Sequence, residues 1–230
     1  MQKSVFIEFG GLNLLIELSK SMDSEVRVKA VKALRNMMFH ADKKLKEEIL
    51  SDLTIPFIEC LIQDAETFVQ EQALAMVRNL VDGSISNIDF VFAEDSVMLN
   101  AVCKQLQNAE VVEVQIQGMC VLCNVAIGNE LHKDAVSHKV APEASSGNDS
   151  ITIKSLQSTD NRLRTATIWT IINLTLPSTP GAHRRVERLR NAGIIAQIKT
   201  MVNDPCLDVK LRVRTVIEYS ATVGEGSVTL

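Results

Sequence analysis

Ala33-Leu34-Arg35-Asn36-Met37 returns with drift three times, as Met76-Val77-Arg78-Asn79-Leu80, Val121-Leu122-Cys123-Asn124-Val125 and Thr170-Ile171-Ile172-Asn173-Leu174. Each copy closes a longer helical pattern with one asparagine among apolar residues, and these asparagines stand 43, 45 and 49 residues apart. Self-similarity at a period of roughly 20 to 50 residues marks a solenoid, whose units bury their apolar faces only against one another. The expected fold is therefore all-α, a single stacked-repeat domain over residues 1–230.

Outward from the phrase, each unit reads as a short helix, a buried helix and a long helix. Val26, Ala30, Val31, Ala33, Leu34 and Met37 fall at three- and four-residue spacings, the pattern of an amphipathic helix. Asp23 or Ser24 supplies its N-cap oxygen, and Asp64 is the corresponding cap for a helix over 65–81. Leu12 to Leu18 and Leu53 to Ile62 read as buried helices, the latter with Pro56 in its first turn, where a missing N–H costs nothing. Val97 to Leu106 and Val111 to Ile127 follow. After Gly128 the pattern loosens, and residues 139–150, small and polar, are expected to form a disordered insertion loop. Helices over 151–156 and 161–176 come next, then a helix starting at Thr179-Pro180, a buried helix over 194–202 and a last long helix from Asp204-Pro205. In that helix Glu218 or Tyr219 stands where asparagine would be, and residues 224–230 are expected to fray. The apolar start, Val5 to Phe9 before Gly10-Gly11, lacks a polar capping face, as expected of the C-terminal part of a longer array or of an end that a partner covers.

Composition narrows the function classes. A net charge of −4 with interspersed signs lacks the clustered Lys and Arg of a nucleic-acid footprint. The run His183-Arg184-Arg185 to Arg190 is the exception, and on a helix its charges point in several directions, as a solvated surface. Five cysteines form no disulfide framework, and no apolar run reaches the roughly 18 residues of a membrane span. A cytoplasmic and nuclear protein is expected, with no membrane partner. Cys120 and Cys123 have metal-like spacing but supply two ligands where zinc takes three or four, so they are expected as small core residues and no metal is assigned. The four histidines stand apart from any nucleophile or carboxylate arrangement, and no phosphate loop occurs. The expectation is a protein without catalytic residues, cofactor or small-molecule substrate.

Candidate binding residues follow from the asparagines. A side-chain amide offers one acceptor and two donors, so it can pair with the backbone of a passing peptide without reading its side chains. Asn36, Asn79, Asn124 and Asn173 could form such a ladder, or could satisfy backbone groups of neighbouring units. Positions seven and four residues earlier share their helix face: Lys29 and Lys32, Gln72 and Ala75, Gln117 and Cys120, Ala166 and Trp169. Arg35 and Arg78 add charge able to grip a carboxylate bidentately.

Three helices per unit, the third ending in apolar-x-Asn-apolar, resemble the armadillo repeat over nearly the whole chain. The resemblance implies a right-handed superhelical solenoid of about four and a half units, whose third helices line a peptide-binding groove. Importin-type grooves carry tryptophan four residues before the asparagine. Only Trp169 matches, and the acidic residues that basic cargo needs are missing, which argues against a general nuclear-signal receptor. Val28 to Lys46, Cys120 to Gly128, Ile168 to Leu174 and Arg188 to Ile194 further resemble the C-terminal repeats of the armadillo subunit of the GID/CTLH ubiquitin ligase. That resemblance implies an adaptor that docks the tail of a substrate receptor in its groove, joins the ligase scaffold subunits and serves proteasomal degradation. The alternative is a generic armadillo scaffold in adhesion, signalling or transport.

Overall fold

The computed structural model describes residues 3–83, 85–92, 97–142 and 150–225. Among these residues there are fifteen α-helices and no strand. They fall into triplets: α1 (Lys3–Glu8), α2 (Gly11–Leu18) and α3 (Ser24–Met38); α4 (Lys43–Asp52), α5 (Ile55–Ile62) and α6 (Thr67–Val81); α7 (Ile85–Val91), α8 (Val97–Asn108) and α9 (Val112–Val125). The others are α10 (Glu130–Val140), α11 (Ile151–Leu156) and α12 (Asn161–Thr175), then α13 (Ala182–Asn191), α14 (Ile194–Thr200) and α15 (Leu207–Glu225). The chain divides into two compact units, Met1–Val121 and Leu122–Leu230, and the division falls within α9.

Third helices form the spine of each unit. In the first, α3 packs on α2 and α6, and α5 on α6 and α8; in the second, α12 packs on α11, α13 and α15. Helix α3 buries Ala30, Val31, Leu34, Met37 and Met38, the stripe its periodicity predicts. Leu34, Leu74, Leu80, Ile168 and Ile171 have no exposed surface at all, and each contributes about 1.5–3 kcal/mol by leaving water. Asp23 caps α3 by accepting from the Glu25 N–H at 2.8 Å, and Asp42 caps α4 by accepting from the Leu45 N–H at 2.8 Å. Thr54 caps α5 with Pro56 in its first turn, as its sequence predicts.

Four expectations change. Asp64 does not cap α6; Glu66 does, while Asp64 lies two residues earlier and accepts from the Glu66 N–H. The helix expected from Thr179-Pro180 begins at Ala182, after Gly181 in the left-handed region at φ 68°, because Thr179 and Pro180 instead close a turn from Leu176. The stretch after Gly128 holds α10, the short helix of its triplet. Asn129 and His132 cap it reciprocally: His132 N–H donates to Asn129 Oδ1 at 3.1 Å, and Asn129 N–H donates to His132 Nδ1 at 3.3 Å. Helix α2, expected to be buried, leaves Leu14 and Leu18 exposed. Of the expected insertion loop, 139 and 140 end α10, Val140, Ala141 and Ser150 are buried, and 143–149 lie outside the described residues. In the expected frayed tail, 224 and 225 end α15 and 226–230 lie outside the described residues.

Candidate partner-binding face of the third helices

Within the first unit the expected face is tied together by side chains. Arg35, half-exposed near the end of α3, donates from Nη1 to Gln72 Oε1 on α6 at 2.6 Å and from Nη2 to Asn36 Oδ1 at 2.8 Å. The geometry recurs one triplet on: Arg78 donates from Nη1 to Gln117 Oε1 at 2.8 Å and from Nη2 to Asn79 Oδ1 at 3.2 Å. Asn79, nearly buried, donates from Nδ2 to the Arg35 carbonyl at 3.2 Å, joining the two rows. Lys29 and Lys32 stand exposed on α3, with Lys29 3.7 Å from Glu25. Cys120, at the position Trp169 occupies in α12, is half-buried rather than in the core. Burial raises its thiol pKa, and the charge and hydrogen bond of Arg78 oppose that rise.

The second unit presents a different surface. Asn173 donates from Nδ2 to the Cys123 carbonyl at 3.1 Å, the same bond to the residue before the preceding asparagine that Asn79 makes to Arg35. For Asn79 and Asn173 the amide thus satisfies a backbone group of the neighbouring triplet, one of the two roles open from the sequence. Asn124 is half-buried on α9. Trp169 is 40% exposed, and the Arg212 guanidinium lies over its ring at 4.6 Å from the centroid, where the negative face of the π-system attracts it. Arg212 also pairs with Asp208 one turn back.

The sequence reading missed the polar scaffold beneath this face. Arg27 grips Asp64 with Nε and Nη2, both at 2.9 Å, while Nη1 donates to the Ser21 and Met22 carbonyls. Arg164 does the same to Asp204, at 2.9 and 2.8 Å, with Nη1 on the Ser158 and Thr159 carbonyls. Both arginines lie nine residues before an asparagine. Gln70 and Gln115 hold that position in the intervening triplets and donate to the carbonyls of Asp64 and Ala109, six residues back. The signal was present in the sequence as a recurring Arg or Gln at fixed distance from the phrase. A second set caps third-helix C-termini with donors: Asn87 to Leu80 O, Lys133 to Ala126 O and Arg185 to Leu174 O. These donors meet carbonyls that have no partner in their own helix, at its negative dipole end. Arg185, expected as solvated surface, is 1% exposed and also binds Glu130 at 2.6 Å and Thr179 Oγ1 at 2.8 Å.

No ion can be placed by a cluster of three or more His, Cys, Asp or Glu side chains among the described residues. None of the described helices is long and apolar enough to cross a membrane.

Comparisons with known proteins bear on this architecture. Residues 1–39 match the armadillo/beta-catenin-like repeat. The chain is 30% identical over 196 residues, 84% of its length, to armadillo repeat-containing protein 8 of Xenopus laevis. To the proteins of that name from Danio rerio and Mus musculus it is 30% and 29% identical, over 89% and 84% of its length. It spans 26%, 30% and 28% of the length of these three relatives, in the same order. Among solved structures it resembles a designed armadillo repeat protein in complex with the peptide (KR)4, with a TM-score of 0.81 at 19% identity over 95% of this chain and 85% of that one. A second designed armadillo protein gives 0.78 at 19% identity over the same shares. The chain has the fold of an armadillo-repeat solenoid, and the proteins named armadillo repeat-containing protein 8 are its homologues over most of this chain's own length.

Proposed function

We propose that the chain is a non-catalytic adaptor that holds an extended segment of a partner protein against its third helices, and that it docks the substrate receptor of a GID/CTLH-type ubiquitin ligase. The carrying observation is the doubled row Asn36–Arg35–Gln72 and Asn79–Arg78–Gln117. Its side chains fix one another on the helix face, so their remaining donors and acceptors are held in place before anything binds, which lowers the ordering cost of association. The resemblance of the short motifs to the ligase's armadillo subunit, and the relatives named armadillo repeat-containing protein 8, support the choice of partner. In this reading the receptor's tail lies along the face, scaffold subunits bind elsewhere on the array, and the assembly acts in cytoplasm and nucleus.

Affinity purification of the full chain from native cells, followed by mass spectrometry, tests the proposal. RING and LisH-CTLH subunits should be recovered with the wild type, and the receptor should be lost with Asn36→Ala/Asn79→Ala while the melting curve stays cooperative. Recovery of adhesion, signalling or transport proteins in their place would give the generic scaffold instead.

A further inference from the structure

Of the prolines in the chain only Pro180 directly follows a serine or threonine, and the stretch Pro177-Ser178-Thr179-Pro180 sets Thr179 between two prolines. It lies in the connection from α12 to α13, where Ser178 and Pro180 are exposed and Thr179 is half-buried. Thr179 Oγ1 donates to the Leu176 carbonyl at 2.7 Å and accepts from Arg185 Nη2 at 2.8 Å. The same Nη2 donates to the Pro180 carbonyl at 2.9 Å, and Arg185 itself is 1% exposed. A second guanidinium converges here. A Cβ built on Gly181 would stand 3.0 Å from Arg185 Nη1, 3.2 Å from Glu130 Oε2 and 3.6 Å from Arg184 Nη2. Arg184 pairs with Asp134, and Lys133 feels the charges of both Arg185 and Glu130. Three cations thus face two acids. Beside Thr179 an open cavity of about 380 Å³, bounded by Pro177, His183 and Thr222, reaches the start of α13. There Gly181 at the N-cap has no side chain to hold the first N–H groups of the helix.

We propose that Thr179 is a phosphorylation site for a proline-directed protein kinase, and that its phosphate is held by Arg185 and Arg184 at the start of α13. A kinase that takes proline after its target residue reads the absence of an N–H, since any other residue would bring a donor that the enzyme leaves unpaired. In the transfer, Thr179 Oγ1 attacks the γ-phosphorus of ATP. The new O–P bond forms as the bond to the β-phosphate oxygen breaks, the hydroxyl proton passes to the kinase's base, and ADP leaves. The bond from Thr179 to the Leu176 carbonyl ends with that proton. Arg185 already points at Oγ1, so a charged acceptor replaces a neutral one, and such bonds are roughly twice as strong. Arg184, with its side chain 64% exposed, has room to turn from Asp134 to the phosphate. Glu130, which holds Arg185 Nη1 at 2.6 Å, opposes the new charge, and the excess cation with the positive end of the α13 dipole outweighs it. Because Arg185 also holds the Leu174 carbonyl, the phosphate fastens the end of α12 to the start of α13. The site lies in the second unit and is independent of the reading of the third helices as a partner-binding face.

Incubation of the full chain with ATP and a purified proline-directed kinase, followed by peptide mapping, tests the site. Phosphate should appear on Thr179, and Pro180→Ala should slow its incorporation about tenfold. Phosphate on a free peptide of residues 174–184 but not on the folded chain, or incorporation indifferent to Pro180→Ala, would overturn the proposal. Phosphorus NMR of the phosphorylated chain then reads the grip on the phosphate. A phosphothreonine titrates at about pH 6, and the two arginines should hold it lower. Arg184→Gln should bring the midpoint back up while the melt stays cooperative; Arg184 is varied because Arg185 belongs to the buried framework of the second unit. A midpoint near 6, or one that Arg184→Gln does not move, would overturn the proposal.

Discussion

Two arginines on α3 show how the same side chain serves opposite ends. Arg27 spends its fork on Asp64 and its remaining Nη1 on two carbonyls, so its charge is neutralised and it acts as a tie. Arg35 is held by amides and keeps its charge. The distinction predicts different stability effects. Asp204→Ala leaves Arg164, 10% exposed, without its partner and should cost about 3 kcal/mol, because a buried charge left alone is expensive. Arg35→Gln removes the hydrogen bond to Gln72 without stranding a charge and should cost about 1 kcal/mol. Urea titrations of the two variants make the comparison. Titration supplies a second check at this scale. Burial lowers the pKa of Lys46 and of Lys133 below the ordinary lysine value of 10.5, with Arg185 adding to the shift at Lys133. Between the lowered values and 10.5 the unfolded chain binds more protons than the folded one, so stability should rise with pH across that window. Denaturation of wild type and Lys46→Met between pH 8 and 10.5 measures this, and the slope should diminish in the variant.

At the scale of the helix, the long apolar patterns were legible because their period is carried by side chains that point into the core, as Ala30, Val31, Leu34 and Met37 do. Helix α10 was not. Its apolar residues are sparse, and its buried set includes His132, Lys133 and Ser137, so what holds it is a capping box and a lysine on the Ala126 carbonyl. Polar burial of this kind leaves no hydrophobic period to read. The candidate face was half legible. Spacing placed Arg35, Gln72, Arg78 and Gln117 on one side of their helices. It could not say that each arginine reaches the glutamine of the next triplet, because that bond crosses about 37 residues of chain. Gly118 is a related case. A glycine inside α9 costs about 1 kcal/mol of helix propensity against alanine, and sequence gives no reason for it. The reason is that a Cβ there would stand 2.8 Å from Leu106 Cγ on α8. Gly118→Ala should therefore destabilise by about 1–3 kcal/mol, despite alanine's better propensity, as overpacked cores do. A thermal melt decides the sign.

For the whole molecule, the repeat architecture makes stability a sum of unit and neighbour terms. A broken tie should then be felt locally. Hydrogen exchange on Asp204→Ala should show protection lost first in α13 to α15, with α4 to α6 unchanged; uniform loss along the chain would mean that the array unfolds as one. The proposed function follows the same division of labour, with the ties Arg27–Asp64 and Arg164–Asp204 inside the array and the exposed side of α3 turned to a partner. The most direct test of that claim asks which surface the partner touches. A photo-crosslinking residue in place of Lys32, exposed on α3, should trap the receptor in native cells, whereas the same residue in place of Lys44 on α4 should not. Crosslinks from position 44 and none from 32 would contradict the account.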